Sequence, residues 1–273
     1  MNWNGLVCVV TGASSGIGSA AAQAFANRGA TVIAVARRED KLAALVEELG
    51  GQPHSYVVCD LSDIGQIRAM AETISARTPK VDVLLNNAGI PGPGRVTEST
   101  PEEIEAFFKV NLLAPIWCIQ ELFPLLAHAP RDGRTPVIVN LASMAGRIPV
   151  PSSAPYTASK YALVGFTEAL WSEMHDKGIQ VMVVNPGFVH TEGFPMDPLL
   201  KNPLLRWTVM RAPRVAEAIC HGIESGRTEV RVQGWWHAGY YATILLGPLR
   251  RRVSTAVWGS MNSGSRGRSK VRI

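Results

Sequence analysis

Cysteine is scarce in this chain, with four in 273 residues, and Cys8, Cys59, Cys118 and Cys220 stand 51, 59 and 102 positions apart. That spacing gives neither the paired ligands of a zinc site nor a dense disulfide framework. Cys8 and Cys59 fall inside apolar, strand-like runs, so buried reduced thiols and a reducing compartment are expected. Charge is modest at 18% and apolar residues make up 47%, which excludes a disordered tail protein or a collagen-like repeat. No positive segment precedes the short apolar run 6–10, so no export signal is expected. The apolar stretch 235–249 is broken by His237 and by glycine and proline, and falls short of the roughly 20 residues of a spanning helix.

An excess of positive charge is also missing from most of the chain. The net charge is +5, but residues 247–273 hold seven basic residues and no acid, leaving 20 basic against 22 acidic, or −2, elsewhere. The basicity belongs to the tail, which argues against a nucleic-acid-binding body.

What the sequence does have is a rhythm. Short runs rich in Val, Ile and Leu at 6–10, 31–35, 55–58, 81–85, 136–141 and 180–184 alternate with longer amphipathic stretches, and 228–232 adds a seventh run. Near-continuous apolar strands are those buried on both faces, so the pattern predicts an α/β fold with a parallel sheet covered by helices on both sides. Helices are predicted at 16–28, 39–49, 62–77, 101–126, 155–177 and 213–225. Thr100, Pro101 and Glu103 form a capping-box signature at one helix start, and Gly226 follows the end of the last helix. One domain, 1–234, followed by an extension, 235–273, is the expected organisation.

Directly after the first strand, Thr11-Gly12-Ala13-Ser14-Ser15-Gly16-Ile17-Gly18 opens a helix. Glycines let a backbone approach a pyrophosphate, and the helix N-terminus offers free amides to the anion. The second strand ends in Ala36-Arg37-Arg38, without the carboxylate that would bind a ribose 2′-hydroxyl, so Arg37 and Arg38 are candidates for a 2′-phosphate. Glu39 and Asp40 follow closely and are alternative partners for those arginines. Strand ends also carry Asn86-Asn87-Ala88-Gly89 and Ser143, while Tyr156 and Lys160 lie four apart on a predicted helix. That interval puts phenol and ammonium on one helical face, where the cation can stabilise a phenolate.

In this order the motifs resemble the short-chain dehydrogenase/reductase family over about residues 6–232. The resemblance implies a Rossmann-type, doubly wound, mainly seven-stranded parallel sheet that binds NADP(H), with NAD(H) the lesser expectation. It implies a catalytic set of Asn111, Ser143, Tyr156 and Lys160, with Tyr156 as acid–base at the substrate oxygen. Ser143 would hold that oxygen, Lys160 would bond the ribose and lower the tyrosine pKa, and Asn111 would keep a water in a proton relay. The implied cofactor contacts are Gly12, Ser14, Ser15, Gly16, Ile17, Gly18, Arg37, Arg38, Asp60, Leu61, Asn87, Ala88, Gly89, Tyr156, Lys160, Pro186, Gly187, Val189 and Thr191. No metal is expected.

Pro115 lacks an amide and is expected to open the long helix near Asn111. His54, His128, His175 and His221 read as structural or surface residues, His190 as near the cofactor end, and Met144 as pocket lining. Residues 192–212 match the substrate lid and carry Phe194, Met196, Leu199, Leu200, Leu204, Leu205, Trp207, Val209 and Met210. Such a lid suits a lipophilic ketone or alcohol, steroid-, retinoid- or acyl-like, unless those side chains pack into the core or a subunit. The extension, with Trp235, Trp236, Tyr240, Tyr241 and Arg250 to Arg252, suits a membrane interface, a contact over a subunit or the substrate mouth, or disorder, and its Ser/Gly/Arg-rich end after Met261 is expected to be mobile. The expected protein is thus a cytoplasmic or membrane-associated homodimer or homotetramer acting on a small-molecule carbonyl or alcohol. A catalytically silent nucleotide-binding regulator and a peripheral membrane module are the alternatives.

Overall fold

The computed structural model describes residues 2–91, 94–127, 135–150, 152–203 and 206–233, with Tyr241 and Leu245. The rest of the extension, and with it His237, lies outside the described residues, as do His128, Leu204 and Leu205. The chain runs β1 (Val7–Thr11), α1 (Gly16–Ala26), β2 (Thr31–Ala36), α2 (Glu39–Glu48), β3 (Ser55–Val58), α3 (Ile64–Arg77) and β4 (Val83–Asn86). Then come α4 (Pro101–Phe108), a π-helical turn (Lys109–Leu113), α5 (Ala114–Ala127), β5 (Val137–Leu141), α6 (Ala154–His175) and β6 (Gln180–Pro186). β7 (Phe188–His190), α7 (Asp197–Lys201), β8 (Val209–Arg211), α8 (Ala212–Glu224) and β9 (Glu229–Val232) complete it.

Seven strands pair in parallel in the order β3-β2-β1-β4-β5-β6-β9, each matching a predicted run to within two residues at either end. Successive side chains on a strand point to opposite faces, and the core divides accordingly. Cys8, Val10, Val83 and Leu85 pack with Phe25 of α1, Leu42 of α2 and Ile219 of α8. Val9 and Leu84 pack on the other face with Ile67 of α3, Leu122 of α5 and Leu170 of α6. All four cysteines are buried and unpaired, and burial pushes the Cys8 and Cys118 thiols up.

Two local features depart from the sequence reading. The helix predicted at 101–126 is interrupted by the π turn at Lys109–Leu113, which contains Asn111 and ends two residues before Pro115. Pro115 has no amide to give the Asn111 carbonyl, so regular α-helical bonding is lost there. Residues 101–127 are apolar and long enough to cross a bilayer by length and composition, yet Phe107, Leu122 and Leu126 are buried in the domain. The second departure is a separate two-stranded parallel ladder of β7 and β8, which pins both ends of the lid. The Thr100 capping box forms as expected, its hydroxyl accepting from the Glu103 amide at 3.2 Å.

Candidate active site

The chain reverses direction of winding between β1, which pairs with β2, and its other neighbour β4, and the crevice at such a switch point is where open α/β sheets take ligands. Thr11 Oγ1 accepts from the amides of Asn87 at 3.0 Å and Ala88 at 3.1 Å, tying the two strand ends together. Asn87 Nδ2 donates to the carbonyls of Thr11 at 2.8 Å and Gly12 at 3.2 Å. Gly12 has φ +66, and a Cβ there would lie 2.8 Å from the Ala88 Cα; at Gly18 it would lie 2.3 Å from the Gly12 carbonyl oxygen. The glycines therefore permit a contact between β1 and β4 that any side chain would block. Ser15 caps α1 in an extended conformation with no side-chain bond to the helix amides. This leaves the positive end of α1 open to an anion, so the residues present fit a dinucleotide pyrophosphate.

At the outer end of this crevice, Arg37 is 58% exposed with Nη1 3.8 Å from Asp60 Oδ2. Arg38 donates from Nε and Nη2 to Ser14 Oγ at 3.3 and 3.2 Å, from Nη2 to the Ser14 carbonyl at 3.3 Å, and from Nη1 to Glu192 at 2.6 Å. Glu39, read as an alternative partner, instead accepts from the Tyr56 hydroxyl at 3.2 Å. Burial pushes the Asp60 carboxyl up, but hydrogen bonds from the Ser62 amide and hydroxyl, with Arg37 nearby, outweigh it and hold it below the usual range.

The inner end is built by β5 and α6. Ser143 follows β5 and caps a short turn, its hydroxyl accepting from the Ala145 amide at 3.1 Å. Tyr156 and Lys160 project from α6 into the same space, with Nζ 5.9 Å from the phenol ring centroid and 3.1 Å from the Leu141 carbonyl it donates to. Phe107 and Phe194 flank the Tyr156 ring at 6.1 and 6.2 Å between centroids. Burial pushes the Tyr156 phenol up and a hydrogen bond with Ser143 offsets part of that; burial brings Lys160 down to about 8. The expected lowering of Tyr156 by Lys160 is therefore not seen: the ammonium bonds a backbone carbonyl, and desolvation governs both groups.

Asn111 is fully buried in the π turn, with Oδ1 accepting from the Ile90 amide at 2.9 Å and Nδ2 donating to the Ile90 carbonyl at 3.0 Å. A Cβ on Gly89 would lie 3.1 Å from Asn111 Oδ1 and 3.7 Å from Lys160 Nζ, so both groups stand behind the turn after β4.

These ends belong to one cleft of about 670 Å³. Its walls include Gly12, Ser14, Ser15, Gly16, Ile17, Arg37, Arg38, Asp60, Leu61, Asn87, Ala88, Gly89, Ser143, Tyr156, Lys160, Pro186, Gly187, Val189 and Thr191. Of the expected site residues, Asn111 and Gly18 alone are not on its surface; both lie just behind it. The lid's Phe194 and Met196 and the anticipated Met144 also line it, whereas Ile148, Val150, Phe188 and Glu192 were not foreseen as lining. An apolar residue in a pocket and one in a core read alike in sequence. His190 is off the cleft and accepts from the Met196 amide at 3.1 Å, ordering the start of the lid. His54 accepts from the Val32 amide at 3.1 Å, and His175 stacks on Trp171, both structural as expected.

Residues 6–196 match the family model described as short chain dehydrogenase. The chain is 39% identical to momilactone A synthase of Oryza sativa subsp. japonica over 189 residues, 68% of each chain. Among solved structures it superimposes on a metagenomic short-chain oxidoreductase in complex with NADP, with TM-score 0.71 and 31% identity over 85% of this chain and 98% of that one. It also resembles the 3-ketoacyl-(acyl-carrier-protein) reductase of Brucella melitensis complexed with NADH, with TM-score 0.75 and 30% identity over 84% and 97% of the two chains. The chain belongs to the short-chain dehydrogenase family and is an NAD(P)-dependent oxidoreductase.

Proposed function

We propose that the protein is an NADP(H)-dependent oxidoreductase that interconverts a secondary alcohol and a ketone or aldehyde on a lipophilic substrate, with Tyr156 as acid–base. The observation that carries this reading is the convergence of Ser143, Tyr156 and Lys160 on one cleft with the glycine loop after β1. When bound, the nicotinamide supplies or accepts the hydride.

This chain's own residues do the rest. Tyr156, kept protonated at neutral pH by its burial, gives its phenolic proton to the substrate oxygen during reduction and takes it back during oxidation. Ser143, on the same cleft as Tyr156, donates to the same oxygen and orients the carbonyl. Lys160, with Nζ 5.9 Å from the Tyr156 ring centroid and bonded to the Leu141 carbonyl, bonds the ribose and keeps its positive charge beside the phenol. Asn111 supports the turn at Gly89 and Ile90 with both side-chain polar atoms, which leaves its main chain to hold the water of a proton relay. Pro186, Gly187, Val189 and Thr191 cradle the nicotinamide end.

Ala36, Arg37 and Arg38 support NADP(H), because position 36 itself carries no carboxylate to repel a 2′-phosphate and two guanidinium groups follow it. Met144, Ile148, Val150, Phe188, Phe194 and Met196 around the inner cleft support a lipophilic substrate, and the Brucella relative is itself a ketoacyl reductase. Oxidation of NADPH, followed by its absorbance over a panel of ketones, tests the reading. Tyr156→Phe is expected to lose at least about a thousandfold in kcat, within the range of a lost acid–base group and its hydrogen bonds. Full activity in that variant would overturn the mechanism.

A further inference from the structure

Glu192 stands at the root of the lid, yet its carboxylate reaches the opposite side of the cleft and holds Arg38 Nη1 at 2.6 Å. Arg38 is positioned independently of that bond, because Nε and Nη2 are held by the hydroxyl and carbonyl of Ser14 in the glycine loop. One guanidinium thus bridges the end of β2, the loop after β1 and the lid, with Glu192 taking the edge that Ser14 leaves free. Arg37, Arg38, Ser14 and Glu192 all line the same cleft. Glu192 and Arg38 are 55% and 40% exposed, and the hydrogen bond from Arg38, with Lys41 nearby, holds the Glu192 carboxyl below the usual range. The carboxylate is therefore ionised at neutral pH.

From this geometry we infer that Glu192 is a specificity-determining residue that weakens binding of the 2′-phosphorylated dinucleotide relative to the unphosphorylated one. The inference rests on the NADP(H) reading above and adds an opposing element to it. A phosphate group carries close to two negative charges at neutral pH. To use Arg38 it must displace the Glu192 carboxylate and then sit beside it, whereas a ribose hydroxyl meets neither obstacle. The contact is exposed, so the penalty is small, and the two arginines retain a net attraction for phosphate. Sequence gave no sign of this, since Glu192 lies 154 positions from Arg38.

The test is calorimetric binding of NADP+ and of NAD+ to the full-length protein, in wild type and in Glu192→Gln, Glu192→Ala and Arg37→Ala. Both Glu192 variants are expected to bind NADP+ about fivefold more tightly, the equivalent of one exposed ion pair, with NAD+ changed less than about twofold. The gain should shrink at high salt, because the charges are exposed. Unchanged or weaker NADP+ binding, or an equal gain for both dinucleotides, overturns the role of Glu192. Arg37→Ala separates the two failures: a loss confined to NADP+ keeps the phosphate pocket and isolates the fault to Glu192. An unchanged NADP+ to NAD+ ratio in Arg37→Ala would instead overturn the NADP(H) reading itself.

Discussion

Burying the Lys160 amine costs the folded state, and the sign of that cost can be measured. Its folded pKa of about 8 lies below the ordinary 10.5. The unfolded chain therefore binds more protons between those values, and the contribution of this group to stability rises with pH across that window. Below about pH 8 the penalty is complete, on the order of 3 kcal/mol. Lys160→Met should accordingly raise the melting temperature at pH 7 while abolishing turnover, and its advantage over wild type should fade toward pH 10. A variant no more stable than wild type at pH 7 would contradict the buried-amine account. Tyr156, pushed the other way by burial, keeps its proton through neutral pH. Ketone reduction should hold across the neutral range and fall on the alkaline side, with alcohol oxidation rising there; initial rates in both directions check this. At this scale the meeting of Tyr156, Lys160 and Ser143 on one cleft was legible from the order of the motifs they belong to. The sign of the tyrosine shift was not, because it depends on how much water the flanking Phe107 and Phe194 exclude.

Helices and strands were legible where they are long enough to repeat a pattern. All seven sheet strands and the cap at Thr100 follow from local chemistry, the latter with both reciprocal bonds in place. Thr100→Ala should cost about 1 kcal/mol and roughly 2–4 °C in melting temperature, with turnover little changed, since Thr100 does not line the cleft. Scanning calorimetry beside a turnover assay would check it. Gly18→Ala belongs at this scale too. Its Cβ would meet the Gly12 carbonyl oxygen at 2.3 Å, so the first turn of α1 must shift away from β1. The expected result is a clear fall in both melting temperature and dinucleotide affinity. β7, β8 and α7 escaped the sequence reading because elements of three to five residues show no periodicity. The π turn was legible only as a weakness near Pro115, since the bonding of Asn111 to Ile90 that holds it is a tertiary contact.

At the scale of the whole molecule, segments far apart in the chain are joined by side-chain contacts. Trp3 Nε1 donates to Glu224 at 2.8 Å, and Arg28 of the α1–β2 connection bridges Glu217 at 2.7 Å and Glu224 at 3.4 Å on α8. β9, the last strand of the sheet, ends at Val232. We therefore expect a chain ending at residue 234 to fold and to gain thermal stability from NADP+ as the full chain does. A truncated chain that fails to fold would show the extension to be part of the domain. Liposome co-sedimentation of the full and shortened chains addresses membrane association, and light scattering the expected dimer or tetramer. The contacts that join Trp3 and Arg28 to α8 were not legible in the sequence, because ion pairs between distant segments leave no local trace.

The short parallel ladder of β7 and β8 clamps the lid at its two feet. A stretch anchored at both feet is expected to be exchangeable as a cassette. Exchanging residues 194–208 with the equivalent stretch of a relative should transplant substrate choice while Thr191, Glu192 and the proton-handling groups after β5 and on α6 stay where they are. Diversification of this enzyme would then proceed by replacing the cover and leaving the engine in place.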